Sequence, residues 1–318
     1  MQKKIMSPQV VLVTGSSGFI ASHFVAFLAN RHPDWRIIAL DRLDYESNDT
    51  HSALPANATF VHSDICNGTR LLALLLEHNV TMIAHLAAQT SVDRSFHNVQ
   101  GFLQDNVVGT QVILDAIRYA GRAIRLLHMS TDEVYGSITT VVDETAALLP
   151  TNPYAATKAA AEMMIHAHRK CHGLDVVIAR CNNVFGPRQH AEKLIPRFLG
   201  LLRSGQKCTI HGQGTVCRRF LHVRDACEAL YILLMRGVSG EAYNIGALHA
   251  ISIRDATRLI IETALGPQVD WTQHVTFVPD RAFNDLDYNT CSAKLCALGW
   301  APQITLSEGL AELCGDGR

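Results

Sequence analysis

The chain has 318 residues, an apolar share of 48% and a charged share of 18%, enough to bury a substantial core in one large domain or two of ordinary size. A formal net charge of −1 gives no basic field for nucleic acid or an anionic membrane surface. Nine cysteines with no Cys-x-x-Cys, and sixteen scattered histidines, read as free thiols of a reducing compartment without a metal cluster, so a cytoplasmic location and no metal are expected.

Val10 to Val13 is a short apolar run, expected to form a fully buried strand and too short for a signal peptide or membrane span. Gly15-Ser16-Ser17-Gly18-Phe19-Ile20-Ala21 follows, then a helical pattern through Leu28. Strand, glycine turn and helix form the layout of a dinucleotide site: glycines let the backbone approach a pyrophosphate, and the helix start offers free N–H groups. The next apolar run, Arg36 to Leu40, ends at Asp41. An acid at about this distance past the glycines bonds the adenosine ribose and repels a 2′-phosphate, so NAD is expected over NADP. Arg42 beside it softens that preference, and the alternative for Asp41 is a turn cap.

Thr69 to His78 reads as a leucine-rich helix, Val80 to His85 as a strand ending in Leu86-Ala87-Ala88-Gln89-Thr90, and 101–119 as one long helix containing Asn106. The apolar run Ile124 to Met129 leads into Ser130-Thr131-Asp132-Glu133-Val134-Tyr135-Gly136. A hydroxyl and two adjacent carboxylates thus stand at a strand end, where ligands bind in an open α/β sheet. Paired carboxylates there suit acid and base work; a capped turn is the plainer alternative. Thr151-Asn152-Pro153 has the grammar of a helix start. Tyr154 and Lys158, four residues apart, share a face of that helix, and the cation and helix terminus together are expected to pull the phenol's pKa down. Leu174 to Ala179 is a strand. Glu192-Lys193-Leu194-Ile195-Pro196 opens a helix to about Ser204, Thr209 to Gly212 is a short strand and turn, and the helix from Asp225 returns to the first domain. A strand at Glu241 to Gly246, a helix at Ile251 to Leu265, a polar loop at Asp280 to Asp285 and short helices complete the chain.

In this order the motifs resemble the nucleotide-sugar branch of the extended short-chain dehydrogenase/reductase family, and within it the 4,6-dehydratases of dTDP-glucose or UDP-glucose. The 130–136 stretch is the most specific part, supported by Ala87-Ala88-Gln89-Thr90, Asn182-Asn183-Val184-Phe185-Gly186-Pro187, the 192–196 stretch, Tyr243-Asn244-Ile245-Gly246 and Asp280-Arg281-Ala282-Phe283-Asn284-Asp285. The resemblance implies an α/β fold: a Rossmann-type doubly wound parallel sheet with a smaller, interleaved substrate lobe. Residues 1–180, rejoined by about 218–243, would bind NAD; 181–217 and 244–318 would hold the nucleotide sugar. It implies NAD contacts from Gly15, Gly18, Phe19, Ile20, Asp41, Arg42, Asp64, Ile65, Leu86, Ala87, Ala88, Tyr154, Lys158 and Asn183. Substrate contacts would come from Thr90, Thr131, Asn182, Lys193, Leu194, Thr209, His211, Arg218, Asn244, Arg281 and Asn284, with Arg218 and Arg281 on the diphosphate.

The chemistry implied is redox-neutral. Tyr154 takes the proton of the sugar 4-hydroxyl, held also by Thr131, while hydride passes from C4 to NAD; Lys158 tunes Tyr154. Glu133 removes the C5 proton, Asp132 protonates the departing 6-hydroxyl, and hydride returns to C6. Mutual repulsion of the two acids is expected to split their pKa values. Ala21, Ser91, Arg219 and Ala282 depart from the family pattern and bear on substrate choice. The Asn182-Asn183-Val184 and Phe283-Asn284-Asp285 wording tilts that choice to UDP-glucose. A homodimer through the helices at about 101–119 and 153–170 is implied. The rival readings are a 4-epimerase or decarboxylase of the same fold, and a cofactor-binding sensor or scaffold without turnover.

Overall fold

Strands β1 (Val10–Thr14), β2 (Arg36–Asp41), β3 (Ala58–His62), β4 (Met82–His85), β5 (Arg125–Thr131) and β6 (Asp175–Cys181) alternate with helices in the computed structural model, which describes residues 8–138, 140–280 and 289–315. Beyond them come β7 (Asn183–Phe185), β8 (Cys208–His211), β9 (Cys217–His222), β10 (Ala242–Ile245), β11 (Ala250–Ser252) and β12 (Val275–Val278). The main sheet has seven parallel strands in the order β3-β2-β1-β4-β5-β6-β10. The order reverses between β1 and β4, the point where an open parallel sheet forms its ligand crevice.

The apolar runs are continuous because both faces of the sheet are covered. In β1, Val11 and Val13 pack with Phe24 and Leu28 on one side, while Leu12 packs with Leu71 and Leu74 on the other. The Val223–Arg236 helix returns to pack on this sheet, placing Leu230 and Leu233 in the first of those cores. A smaller lobe has its own core around Phe185, Ile195, Phe198, Ile210 and Ile260, with a β11-β9-β7 sheet and a β12-β8 pair. The chain therefore enters the small lobe after β6, returns for the Val223–Arg236 helix and β10, and leaves again.

One expected element differs. The helix over 101–119 is not uniform: Val99–Phe102 and Gly109–Tyr119 are α-helical, and Leu103–Val108 between them is a π turn. Asn106, buried in that turn, explains the widening. Its Oδ1 accepts from the Gln89 backbone N–H at 2.8 Å, and its amide donates to the Gln89 carbonyl at 3.1 Å and to Thr157 at 2.9 Å. These bonds tie the end of β4 to the Pro153–His172 helix, and such turns cluster at functional sites.

Candidate active site

The turn from β1 into the Phe19–Arg31 helix lines a cleft of about 290 Å³. Gly15 has φ of 70°, and a Cβ there would lie 2.8 Å from the Ala87 backbone, so the turn needs glycine on both counts. The hydroxyl of Ser130, which lines the cleft, is buried without a hydrogen-bond partner, as are those of Ser16 and Ser17 inside the glycine turn. Unsatisfied polar groups of this kind point to a ligand that would complete them. Asp41, buried at the end of β2, accepts from the Ser17 N–H at 2.9 Å and the Leu43 N–H at 2.7 Å. It thus caps the glycine turn and also lines the cleft. Glycine turn, orphan hydroxyls, acid and the small Ala87 and Ala88 together fit a dinucleotide.

Arg42 lines the same cleft but is held by acids. It grips Asp105 through both terminal nitrogens at 2.7 and 2.6 Å, and reaches Asp44 at 2.5 Å and Asp64 at 3.3 Å. A guanidinium so neutralised gives a 2′-phosphate little purchase, and the expected softening of the NAD preference falls away. Asp64 is occupied by Arg42 and the Cys66 N–H; its neighbour Ile65 lines the cleft.

The 130–136 stretch is built by the end of β5 and a 3₁₀ turn over Asp132–Tyr135. Gly136 closes it at φ of 73°, where a Cβ would collide with the Leu149 carbonyl. The two acids have different surroundings. Asp132 is 3% exposed; it accepts from the Asn182 amide at 2.5 Å and from the Thr131 hydroxyl at 3.1 Å. Burial pushes its carboxyl up to about 6, against the pull of Asn182, Thr131 and the Arg218 cation. Glu133 accepts from the Asn152 amide at 2.9 Å. A split between the two acids is expected from their mutual repulsion; the rise at Asp132 has burial as its largest cause.

Tyr154 and Lys158 stand beside them on the Pro153–His172 helix, both buried and both lining the cleft. The Lys158 ammonium donates to the Met129 carbonyl at 2.6 Å, and burial lowers its pKa to about 8. The expectation of a depressed Tyr154 pKa is corrected: the phenol is pushed above its ordinary value, first by burial and then by the charge of Glu133, with Thr131 easing the rise. A cation four residues away does not outweigh the loss of water around the ring.

A second cavity, of about 680 Å³, opens from this point into the small lobe. Thr90, Glu133, Asn183 and Lys193 line both cavities; Leu194, Thr209, His211 and Arg218 line the second. Lys193 donates to the Thr90 hydroxyl at 3.1 Å. Arg219 is turned away from the cavity, to the Ala247 and Leu248 carbonyls and the Asn289 side chain, as alternation along β9 requires.

These features are those of a known family. Residues 11–246 match the NAD dependent epimerase/dehydratase family. The chain belongs to that family. It is 41% identical over 311 residues to an Arabidopsis thaliana trifunctional UDP-glucose 4,6-dehydratase, UDP-4-keto-6-deoxy-D-glucose 3,5-epimerase and UDP-4-keto-L-rhamnose reductase, covering 96% of this chain and 46% of that protein. The chain thus spans less than half the length of this relative. A Mus musculus dTDP-D-glucose 4,6-dehydratase is 40% identical, over 94% of this chain and 86% of its own. The structure of a dTDP-glucose 4,6-dehydratase from Streptomyces venezuelae, with NAD bound, superposes with a TM-score of 0.90 at 38% identity, covering 96% of each chain.

Within this family member, two expected site residues among those described line neither cavity: Asp64, held by Arg42, and Asn244. Asn244 is fully buried: it accepts from the Tyr135 hydroxyl at 2.8 Å and donates to the Cys291 carbonyl at 3.2 Å. It supports the turn that carries the acids, through the last aromatic residue of that turn. Arg281, Ala282 and Asn284 lie outside the described residues. Ala21 is buried in the main core. Ser91 caps the short Val92–Ser95 helix by accepting from the Arg94 N–H. Asn152 was read only as a helix cap. It is one, accepting from the Ala155 N–H at 2.8 Å, but its amide also holds Glu133. Only an asparagine side chain among the common caps carries both an acceptor and a donor of that reach.

Proposed function

We propose that the chain is an NAD-dependent nucleotide-sugar 4,6-dehydratase that converts UDP-glucose or dTDP-glucose into the 4-keto-6-deoxyglucose nucleotide and water. The observation that carries this reading is the unequal pair: Asp132 buried and raised to about 6, Glu133 held by Asn152 where the two cavities meet. Burial favours the protonated form of Asp132, and Glu133 stands beside it at the junction; a proton donor and a proton acceptor side by side are what elimination across C5 and C6 requires and epimerisation at C4 does not.

The glycine turn, Asp41, Lys158 and Asn183 would hold NAD, which would supply a hydride acceptor and donor. Thr131 and Tyr154 hold the sugar 4-hydroxyl, and Tyr154 accepts its proton, with the Lys158 ammonium as the chain's own cation opposing the raised phenol pKa. Glu133 takes the C5 proton once C4 is a ketone, and Asp132 protonates the 6-hydroxyl as it leaves as water; Glu133 then returns a proton to C5. Arg218 and Lys193 bind the diphosphate, with a guanidinium fork suited to phosphate oxygens, while Thr209 and His211 face the base. The similarity to enzymes named for both nucleotides leaves two substrates to compare, with UDP-glucose preferred on the wording of residues 182–184. Incubation with each and mass spectrometry of the sugar nucleotide tests the reading: one should lose one water without net change in NAD, and loss from neither would end it.

The assembly belongs to the same proposal. Val99, Leu103 and Val108 are exposed along the Val99–Phe102 helix and the π turn, and Met163 on the Pro153–His172 helix, and a homodimer packing these segments together would cover them. Met163→Glu should shift the light-scattering mass from two chains to one. Among the described residues no helix is long and apolar enough to cross a membrane, and nine free thiols support a cytoplasmic setting.

A further inference from the structure

The loop after β2 carries a carboxylate that none of these steps uses. The Tyr45 hydroxyl donates to Glu46 Oε1 at 2.6 Å, and the Thr90 hydroxyl donates to Glu46 Oε2 at 3.2 Å. The loop is fixed on both sides. The Asn48 N–H donates to the Ser17 carbonyl at 2.7 Å, and its amide to the Arg188 carbonyl at 3.2 Å. The Tyr45 ring lies under the Arg94 guanidinium at 3.6 Å and meets the His190 ring edge-on at 5.6 Å. Glu46 is therefore a positioned side chain.

It lines the first cleft, next to the point where the two cavities meet. Thr90, which it touches, is one of the four residues, among those described, that line both cavities. A hexose joined to a nucleoside diphosphate in the second cavity must reach this junction to present C4 to Tyr154. The charge of Glu46 is felt at the Tyr154 phenol, which it helps to raise. The cations nearby are Lys193, which donates to Thr90 and lies 3.4 Å from Glu192, Lys158, which donates to the Met129 carbonyl, and Arg94, which covers the Tyr45 ring.

We propose that Glu46 is a specificity-determining residue of the sugar site, placing a negative charge at the junction of the two cavities that turns away nucleotide sugars whose C6 is oxidised to a carboxylate. A neutral hexose meets no repulsion and has hydroxyls to donate to Glu46. A uronate brings a like charge into a partly enclosed site where water screens it poorly, and discrimination between substrates then comes from the repulsive element as much as from the attractive contacts. This inference rests on the nucleotide-hexose reading of the junction.

The test compares UDP-glucose with UDP-glucuronic acid on the NAD-loaded enzyme. Glu46→Gln keeps the shape and the bonds to Tyr45 and Thr90 but removes the charge. The ratio of the uronate inhibition constant to the UDP-glucose KM should fall at least about tenfold in this variant, and less at high salt. Glu46→Asp keeps the charge and should keep most of the discrimination. An unchanged ratio in Glu46→Gln, or an equal fall in Glu46→Asp, overturns the inference. Should the wild-type enzyme not turn over UDP-glucose, calorimetric dissociation constants for the same two ligands carry the comparison, so the specificity claim fails or stands apart from the dehydratase reading.

Discussion

Replacing Asp132 by asparagine should make the protein more stable at pH 8 and nearly leave it unchanged at pH 4. The wild-type carboxyl is held at about 6 against an ordinary value of 3.8, about two pKa units, and each unit corresponds to about 1.4 kcal/mol. Because the folded-state value is raised, folding favours the protonated acid. That contribution is complete below the unfolded value near 4 and is lost as pH rises through 6, so wild-type stability should fall by roughly 3 kcal/mol from this group between those limits. An asparagine cannot ionise and loses nothing over the range. Its side chain has the same shape, its oxygen can accept from Asn182, and its amide can donate to the Thr131 oxygen, so no buried group is left unpaired. Urea unfolding followed by tryptophan fluorescence at pH 4, 6 and 8, with the midpoints compared at equal slope, should show the variant gaining progressively, while dehydration collapses for want of the acid. A stability difference that does not vary with pH, or one that grows toward acid, would refute burial as the origin of the shift.

Three further outcomes follow from the same geometry. Asn152→Asp keeps the cap on Ala155 but sets a second negative charge against Glu133; stability should change by less than about 1 kcal/mol in urea while turnover falls by more than tenfold. Glu162 is the buried partner of Arg180, bonded at 2.7 Å, so Glu162→Leu should cost about 3–5 kcal/mol by leaving a buried guanidinium uncompensated, measurable as a lower unfolding midpoint. A Cβ on Gly246 would lie 2.4 Å from Asn182 Oδ1; Gly246→Ala should displace Asn182 from Asp132 and lower kcat more than it raises KM, as steady-state kinetics would show.

Much of this was legible in the residues. The strand ends at Asp41, His85 and Thr131 follow from short apolar runs broken by polar residues, since a buried parallel strand must become polar where it leaves the sheet. The Asn152-Pro153 start fell where the cap chemistry put it. What stayed hidden depended on distance in space. Nothing local says that Asn106 would widen its helix to bind the backbone of Gln89, that Asn152 would face Glu133 nineteen positions earlier, or that Glu46 would close on Thr90. The pKa errors share one origin: spacing along the chain shows which charges are neighbours, but not how much water they lose. Burial was the larger influence for Asp132, Tyr154 and Lys158 alike. Asn244 misled in the same way, because a polar residue at a strand end can point into the support of a site as readily as into the site.

The most direct test is the fate of the C4 hydrogen. With UDP-glucose or dTDP-glucose deuterated at C4, the account predicts that deuterium appears at C6 of the product, that C5 carries solvent hydrogen, and that NAD shows no net reduction. Deuterium retained at C4, or lost to solvent, would contradict it.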